Sequence, residues 1–163
     1  MTTYNIIHIA AVLLTGLAAG LFYGYDCSII KGLGNLPDKE YLSAFQSINK
    51  AILNPYFFMS FMGSLILLAV ATWLSHKQGT PMVFYLLSGA TLLYAVGVFG
   101  VTMFGNVPLN NSVEQFDISN ASADAIRAMR QKFEDKWNML HHLRTYAAIL
   151  SFLVAIVSLV KKT

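Results

Sequence analysis

The sequence predicts an all-α integral membrane protein: a four-helix bundle with a short amphipathic helix after the first span and an extended, partly extramembrane last helix. Three observations predict it. Hydrophobic residues make up 56% of the 163-residue chain and charged residues only 12%, against about 25% charged in a soluble domain. Lipid is therefore the main solvent. Three apolar runs are long enough to cross a hydrocarbon core of about 30 Å, which takes about 20 helical residues. The connections also supply helix starts: Asn54-Pro55 and Thr80-Pro81 each set a capping side chain before a proline at the first helical position. The length suits one domain, with spans at about 6–25, 55–74, 82–104 and 140–160.

Span one, Ile6 to Tyr25, carries Gly16, Gly20 and Gly24 four apart, a glycine face on which another helix can approach closely. Its N-terminal flank has no positive n-region, so it reads as a retained span rather than a cleaved leader. Lys31 to Leu53 is a connection, broken by Gly32, Gly34 and Pro37, with Asp38 placed to cap a new helix. Tyr41, Phe45, Ile48 and Ile52 recur at three- and four-residue spacing. They make one apolar face of a helix that lies on the membrane surface or folds against the bundle. Span two puts Trp73 at interfacial depth, and the short turn 75–80 makes spans two and three antiparallel neighbours. Gly105 ends span three, and Asn106-Val107-Pro108-Leu109-Asn110-Asn111 comes next as a turn that exposes backbone groups. The helical pattern resumes at Ser122. Its apolar part, Tyr146 to Val160, is short for a span, and extending it back to Met139 takes in His141, His142 and Arg144. An arginine near a span end costs much less than one at the centre, which places these three residues at the interface, facing the bundle. His8 lies near the opposite end, as an interfacial histidine.

Four spans put both termini on one side, with Lys77, Lys161 and Lys162 and no acid; the other side carries the remaining eight Lys/Arg and all eight acids. The charge rule weighs short segments beside spans, and long connections translocate regardless of charge, so the termini are assigned to the cytoplasm and the protein to a plasma or inner membrane. The net charge of +3, with no basic run interleaved with aromatics, points away from nucleic acid. The one cysteine, Cys27, makes no intrachain disulfide and reads as a buried small residue near a helix end.

The chemistry-bearing residues gather between Asn106 and Arg144. Glu134, Trp137, His141 and Arg144 are separated by three, four and three residues, which puts a carboxylate, an indole, an imidazole and a guanidinium on one helix face. Histidine suits proton transfer near neutral pH, and the planar fork of arginine suits a developing oxyanion or enolate. A structural reading stands beside this one: Trp137 as an interface anchor, Arg144 as a snorkelling charge paired with Glu134 or a lipid phosphate. His142 points away from His141, which weakens a metal reading. Asp26, Glu114 and Asp117 have no spacing that demands a ligand set.

Four stretches together resemble the anthrone oxygenase-like membrane proteins: LTGLAAG at Leu14 to Gly20, FQSINKAILNP at Phe45 to Pro55, NVPLNN at Asn106 to Asn111, and WNMLHHLRT at Trp137 to Thr145. They cover nearly the whole chain in order, and the last two are fairly specific as a pair. Characterised members look like oxygenases that need no cofactor and oxidise an anthrone to an anthraquinone with molecular oxygen. The resemblance implies that Asn106, Pro108, Asn110, Trp137, His141 and Arg144 occupy the family's motif positions. The expected catalytic set is His141 as proton acceptor, Arg144 as enolate holder and Trp137 as stacking platform. Asn106, Asn110, Asn111, Glu134, Gln46 and Asn49 are the expected substrate-binding set, with no metal. The expected partners are a small hydrophobic or aromatic molecule, molecular oxygen, membrane lipid and a second copy of the chain on the Gly16/Gly20/Gly24 face. Two rivals stay open: a non-catalytic module that binds a lipid, a quinone or a partner helix, and a haem or metal redox protein ligated through His141 or His142.

Overall fold

The computed structural model describes residues 2–161, and these are helical with no strand. Lys162, one of the three lysines assigned to the side of the termini, lies outside them. Five helices run in order: α1 Thr3–Gly34, α2 Asp38–Ile52, α3 Pro55–Gln78, α4 Pro81–Glu114 and α5 Ala123–Val160. All but α2 are long and apolar enough to cross a membrane, with mean hydropathy of 1.9 to 2.0 over their most apolar stretch. The chain is thus a multi-pass membrane protein by the length and composition of its helices.

The helix starts are set by their caps. Asn54 Oδ1 accepts from the Phe57 N–H at 3.0 Å, Thr80 Oγ1 from that of Val83 at 3.4 Å, and Ser122 Oγ from that of Ala125 at 3.3 Å. Asp38 does not cap α2. Pro37 holds that position without a side-chain bond, and the Asp38 carboxylate turns to Arg130 at 3.0 Å and Arg127 at 3.7 Å on α5.

Two helices run further than the sequence predicts. Gly32 does not break α1 after span one: a wider π-helical turn at Tyr25–Ile29 carries the helix on to Gly34, where it ends ahead of Pro37. Gly105 does not end α4, and NVPLNN is no exposed turn. After π segments at Leu93–Gly100 and Thr102–Asn106, an α-helix covers Val107–Glu114, with Pro108 in its first turn. Proline fits there because its missing N–H falls where the helix changes from wide to regular hydrogen bonding.

The long helices pack in a cycle: α1 on α3, α3 on α4, α4 on α5 and α5 on α1. Small residues let them approach. A Cβ on Gly16 would sit 2.7 Å from the Phe152 ring, one on Gly63 2.7 Å from Leu14, one on Gly97 2.6 Å from Ala147 Cβ and one on Gly105 3.0 Å from Leu140. Gly20 and Gly24 meet nothing within 4 Å, so only the first glycine of the span-one series packs inside the chain. Polar groups between the helices are satisfied across the contacts: Tyr94 Oη donates to the Phe61 carbonyl at 3.0 Å, and Ser151 Oγ to the Ala90 carbonyl at 2.8 Å. His8 is fully buried, not interfacial, with Nε2 at 2.8 Å from Ser158 Oγ. That contact joins the first turns of α1 to the last turns of α5, so the start of α1 and the end of α5 share one side.

Away from the termini, a second core forms where the helices outrun a bilayer. Leu33, Tyr41, Leu42, Phe45, Val113, Ile118, Ile126, Phe133 and Trp137 bury against each other. The apolar face of α2 is thus folded against the bundle rather than laid on a membrane surface. Arg130 fastens this cap: it donates to Glu134 at 2.7 Å, to Asp38 at 3.0 Å and to the carbonyls of Leu36 and Gly34 at 2.7 and 3.0 Å. Its guanidinium also lies 4.3 Å from the centre of the Tyr41 ring. The Tyr41 hydroxyl is pushed well above the usual phenol range, chiefly by burial and then by the Glu134 carboxylate. Cys27 is exposed, contrary to its expected burial, because it falls on the outer face of the widened turn of α1.

Candidate functional site

The site sits where the membrane-crossing part of the bundle meets this cap. One turn of α5 supplies its centre. Trp137 and His141, four apart, stack with ring centroids 5.0 Å apart and planes 8° from parallel. Tyr25, at the start of the π segment of α1, packs 5.1 Å from the His141 ring and 5.5 Å from the Trp137 ring. Phe22 meets His141 edge-on at 5.9 Å. Arg144 lies beneath, its guanidinium 4.8 Å from the Phe22 ring centre and 5.3 Å from that of Trp137, distances of cation–π attraction.

The hydrogen bonds fix the state of His141. Arg144 donates to its Nδ1 through Nε at 3.1 Å and through Nη2 at 2.8 Å. A guanidinium only donates, so Nδ1 is the acceptor and the ring proton sits on Nε2. Nε2 donates to the Phe22 carbonyl at 3.2 Å. Both ring nitrogens are thus engaged, and the lone pair expected to accept a substrate proton is held by Arg144. Arg144 also donates to Thr102 Oγ1 at 3.3 Å, and Thr102 passes its own proton to the Val98 carbonyl at 2.7 Å, within the π region of α4. The wide turns of α1 and α4 thus bring Tyr25 and Thr102 to the same turn of α5, a recurrent place for π segments.

The asparagines brace the indole. Asn110 Oδ1 accepts from Trp137 Nε1 at 2.6 Å, and because an indole N–H only donates, the Asn110 amide group is left free to donate. Asn106 is fully buried and donates to the Trp137 carbonyl at 3.3 Å. Asn111 is exposed on the outer face of the helix. Gln46 works as a fastener, donating to the carbonyls of Val113 and Phe116 at 2.7 and 3.0 Å. Glu134 is held by Arg130 one turn above the stack. It does not pair with Arg144. His142 faces outward, not into the bundle, and meets Asp26 at 2.6 Å. Glu114 pairs with Lys50 at 3.0 Å, and Asp117 closes its own turn on Ser119 and Asn120.

These groups enclose a cleft of about 100 Å³. Trp137, His141, Arg144, Tyr25, Asn110 and Asn49 give it its polar and aromatic inner wall. Leu21, Ile52, Leu53 and Phe57 line it at the joint of α1, α2 and α3, with Leu53 strongly exposed. Asn106, Asn111, Gln46 and Glu134 do not line it. Tyr25 and Thr102 were missed by sequence reasoning, since a lone tyrosine and a lone threonine in apolar runs carry no spacing signal. Among the described residues no three His, Cys, Asp or Glu side chains cluster so as to hold a metal ion.

Fold and site together define a class: a small multi-pass helical protein with an aromatic cleft floored by a buried guanidinium. The chain belongs to the anthrone oxygenase family, whose model matches residues 56–154, more than half of its length. The matched stretch includes NVPLNN and WNMLHHLRT, while LTGLAAG and FQSINKAILNP precede it. No curated protein and no solved structure matches the chain.

Proposed function

We propose that the protein is a membrane oxidoreductase that oxidises a flat anthrone-like or quinol-like aromatic with molecular oxygen, without a cofactor. The observation that carries this reading is the cleft itself. Its inner wall is the parallel Trp137–His141 pair, its floor is Arg144, and its mouth is apolar. One edge ring of such a molecule lies beside the indole, its oxygen reaches Arg144 and the Asn110 amide group adds a donor, while the remaining rings extend through the apolar mouth at Leu21, Ile52, Leu53 and Phe57. In an anthrone the reacting carbon bears two hydrogens. Loss of one as a proton leaves an enolate; its carbon bonds to oxygen to give a hydroperoxide after protonation; loss of water leaves the ketone. Overall CH2 and O2 become C=O and H2O. Membrane lipid surrounds the protein, which we place in a plasma or inner membrane with its termini in the cytoplasm. The open surface at Gly20 and Gly24 suits a second copy.

The test is oxygen uptake by the purified protein in lipid nanodiscs with an anthrone, corrected for the spontaneous rate. Expected are one ketone per oxygen consumed and loss of the enzymatic rate in Arg144→Met. Uptake no faster than the spontaneous reaction sinks the reading. One observation favours a second reading, a module that only binds such a ligand: both His141 nitrogens are already engaged. That reading expects binding without oxygen uptake.

A further inference from the structure

Arg144 is a charge without a counter-charge. It is only 8% exposed, and among the described residues no Asp or Glu forms an ion pair with it. Its donors go to a neutral imidazole nitrogen and a threonine hydroxyl, and its faces to the Phe22 and Trp137 rings. A buried cation normally keeps an anionic partner, because an unpaired buried charge is among the costliest features of a fold. Here the guanidinium borders the cleft, so a bound molecule can supply the missing charge.

The cleft also lacks a base. Among the described residues no Asp or Glu lines it. The ionisable groups facing Arg144 are Tyr25 from α1 and His141 from its own helix; the polar residues that α2 and α4 contribute to the lining, Asn49, Thr102 and Asn110, are neutral. Asp26, next to Tyr25 on α1, pairs with His142 outside the lining, and Glu134 is held by Arg130. His141 lends its lone pair to Arg144, which makes it a positioning residue: it fixes where the fork points.

We propose that the ligand is a flat aromatic bearing an acidic enol or phenol hydroxyl, and that it binds as the oxyanion with Arg144 as its counter-ion. This rests on the oxidoreductase reading for the flat ring, and adds that the substrate gives its proton to water as it binds, not to a protein base. An anthrone meets this requirement as its enol tautomer, whose hydroxyl ionises to the same enolate that reacts with oxygen.

The probe is 2-hydroxyanthraquinone, already oxidised and hence inert to turnover, whose anion absorbs at longer wavelength than its neutral form. It is titrated into the protein in nanodiscs about one pH unit below its own pKa. Expected is the anion band in the bound form, with Arg144→Met binding roughly tenfold or more weakly and showing the neutral band. Arg144→Lys keeps the charge and should retain part of the anion band. His141→Gln, whose amide oxygen can still accept from Arg144, should keep it, whereas His141→Leu should lose it. All variants are first checked for wild-type melting behaviour in the same nanodiscs. A neutral band in the wild type, an equal anion band in Arg144→Met, or no binding at all overturns the proposal. Displacement by equimolar oleate overturns it too, by assigning the guanidinium to a lipid carboxylate. An anion band without anthrone-dependent oxygen uptake leaves this inference standing and removes the oxidoreductase reading.

Discussion

At the scale of single residues, two hydrogen-bonded arrangements each have a direct test. Trp137 is held by side chains from another helix: Asn110 on its N–H and Asn106 on its carbonyl. Replacing Asn110 by Leu leaves a part-buried indole N–H unpaired, at a cost of about 1–3 kcal/mol. Expected are a lower melting temperature and a shifted Trp137 emission, read in a Trp73→Phe background so that one tryptophan reports. Asp117 is the simpler case. Bonds from Asn120 and Ser119 hold its carboxyl below its ordinary value. A carboxylate depressed in the folded state stabilises its turn above the unfolded pKa, and that support is lost as pH falls through the folded one. The amides of Ser119 and Asn120 should therefore gain hydrogen exchange only in the acid range, below about pH 3.9, and Asp117→Asn should flatten that response. The sequence shows Trp137, His141 and Arg144 as one helical face because three- and four-residue spacing is a local property. The same spacing offers Arg130 as the partner of Glu134, but it cannot show that Gly34, Leu36 and Asp38 complete that site from nearly a hundred residues away.

At the scale of the helix, glycines separate into those that let helices touch and those that do not. On Gly97 a Cβ would meet another Cβ, which is fixed to the backbone of α5. Gly97→Ala must move the helices apart, with an expected loss of about 1–3 kcal/mol. Gly20→Ala meets nothing and should be neutral or stabilising by up to about 1 kcal/mol through its higher helix propensity. Chemical unfolding in mixed micelles ranks the two, and the reverse order would mean that the packing of α4 on α5 is misplaced. Composition cannot make this distinction, because a repeat of glycines looks the same whichever way it faces. The helix starts were legible for a related reason: Asn54-Pro55 and Thr80-Pro81 act within one turn. The extended ends of α1 and α4 were not, because glycine and proline are ordinarily breakers, and wide turns that absorb them have no composition of their own.

At the scale of the whole molecule, α5 is the ruler. Its 38 residues span about 57 Å at 1.5 Å each, against about 30 Å of hydrocarbon. The surplus stands beside the second core, so the cleft lies near the level where lipid tails end. The start of α1 and the end of α5 occupy the far side, joined by the His8–Ser158 contact. Reporter fusions at the two ends should therefore report the same compartment, and a fusion placed in the Gln115–Ser122 connection the other one. Unlike compartments for the two ends would contradict four crossings. Four apolar stretches are a global signal that composition carries well. The aromatic cleft was only half legible, since Tyr25, Phe45 and Phe57 reach it through tertiary packing.

The wide turn at Tyr25–Ile29 has one further consequence. A π turn holds one residue more than the α turn it replaces, so it behaves as an insertion that the helix has accommodated rather than expelled. Deleting a single residue there would let α1 heal into an unbroken α-helix, with every backbone bond remade. The phase of Leu33 and Gly34 relative to Phe22 would be kept, and the loss would fall on the turn itself, where the packing of Tyr25 on Trp137 and His141 and the Asp26–His142 pair depend on the wide backbone. The chain could remain a well-formed membrane protein and still lose its site.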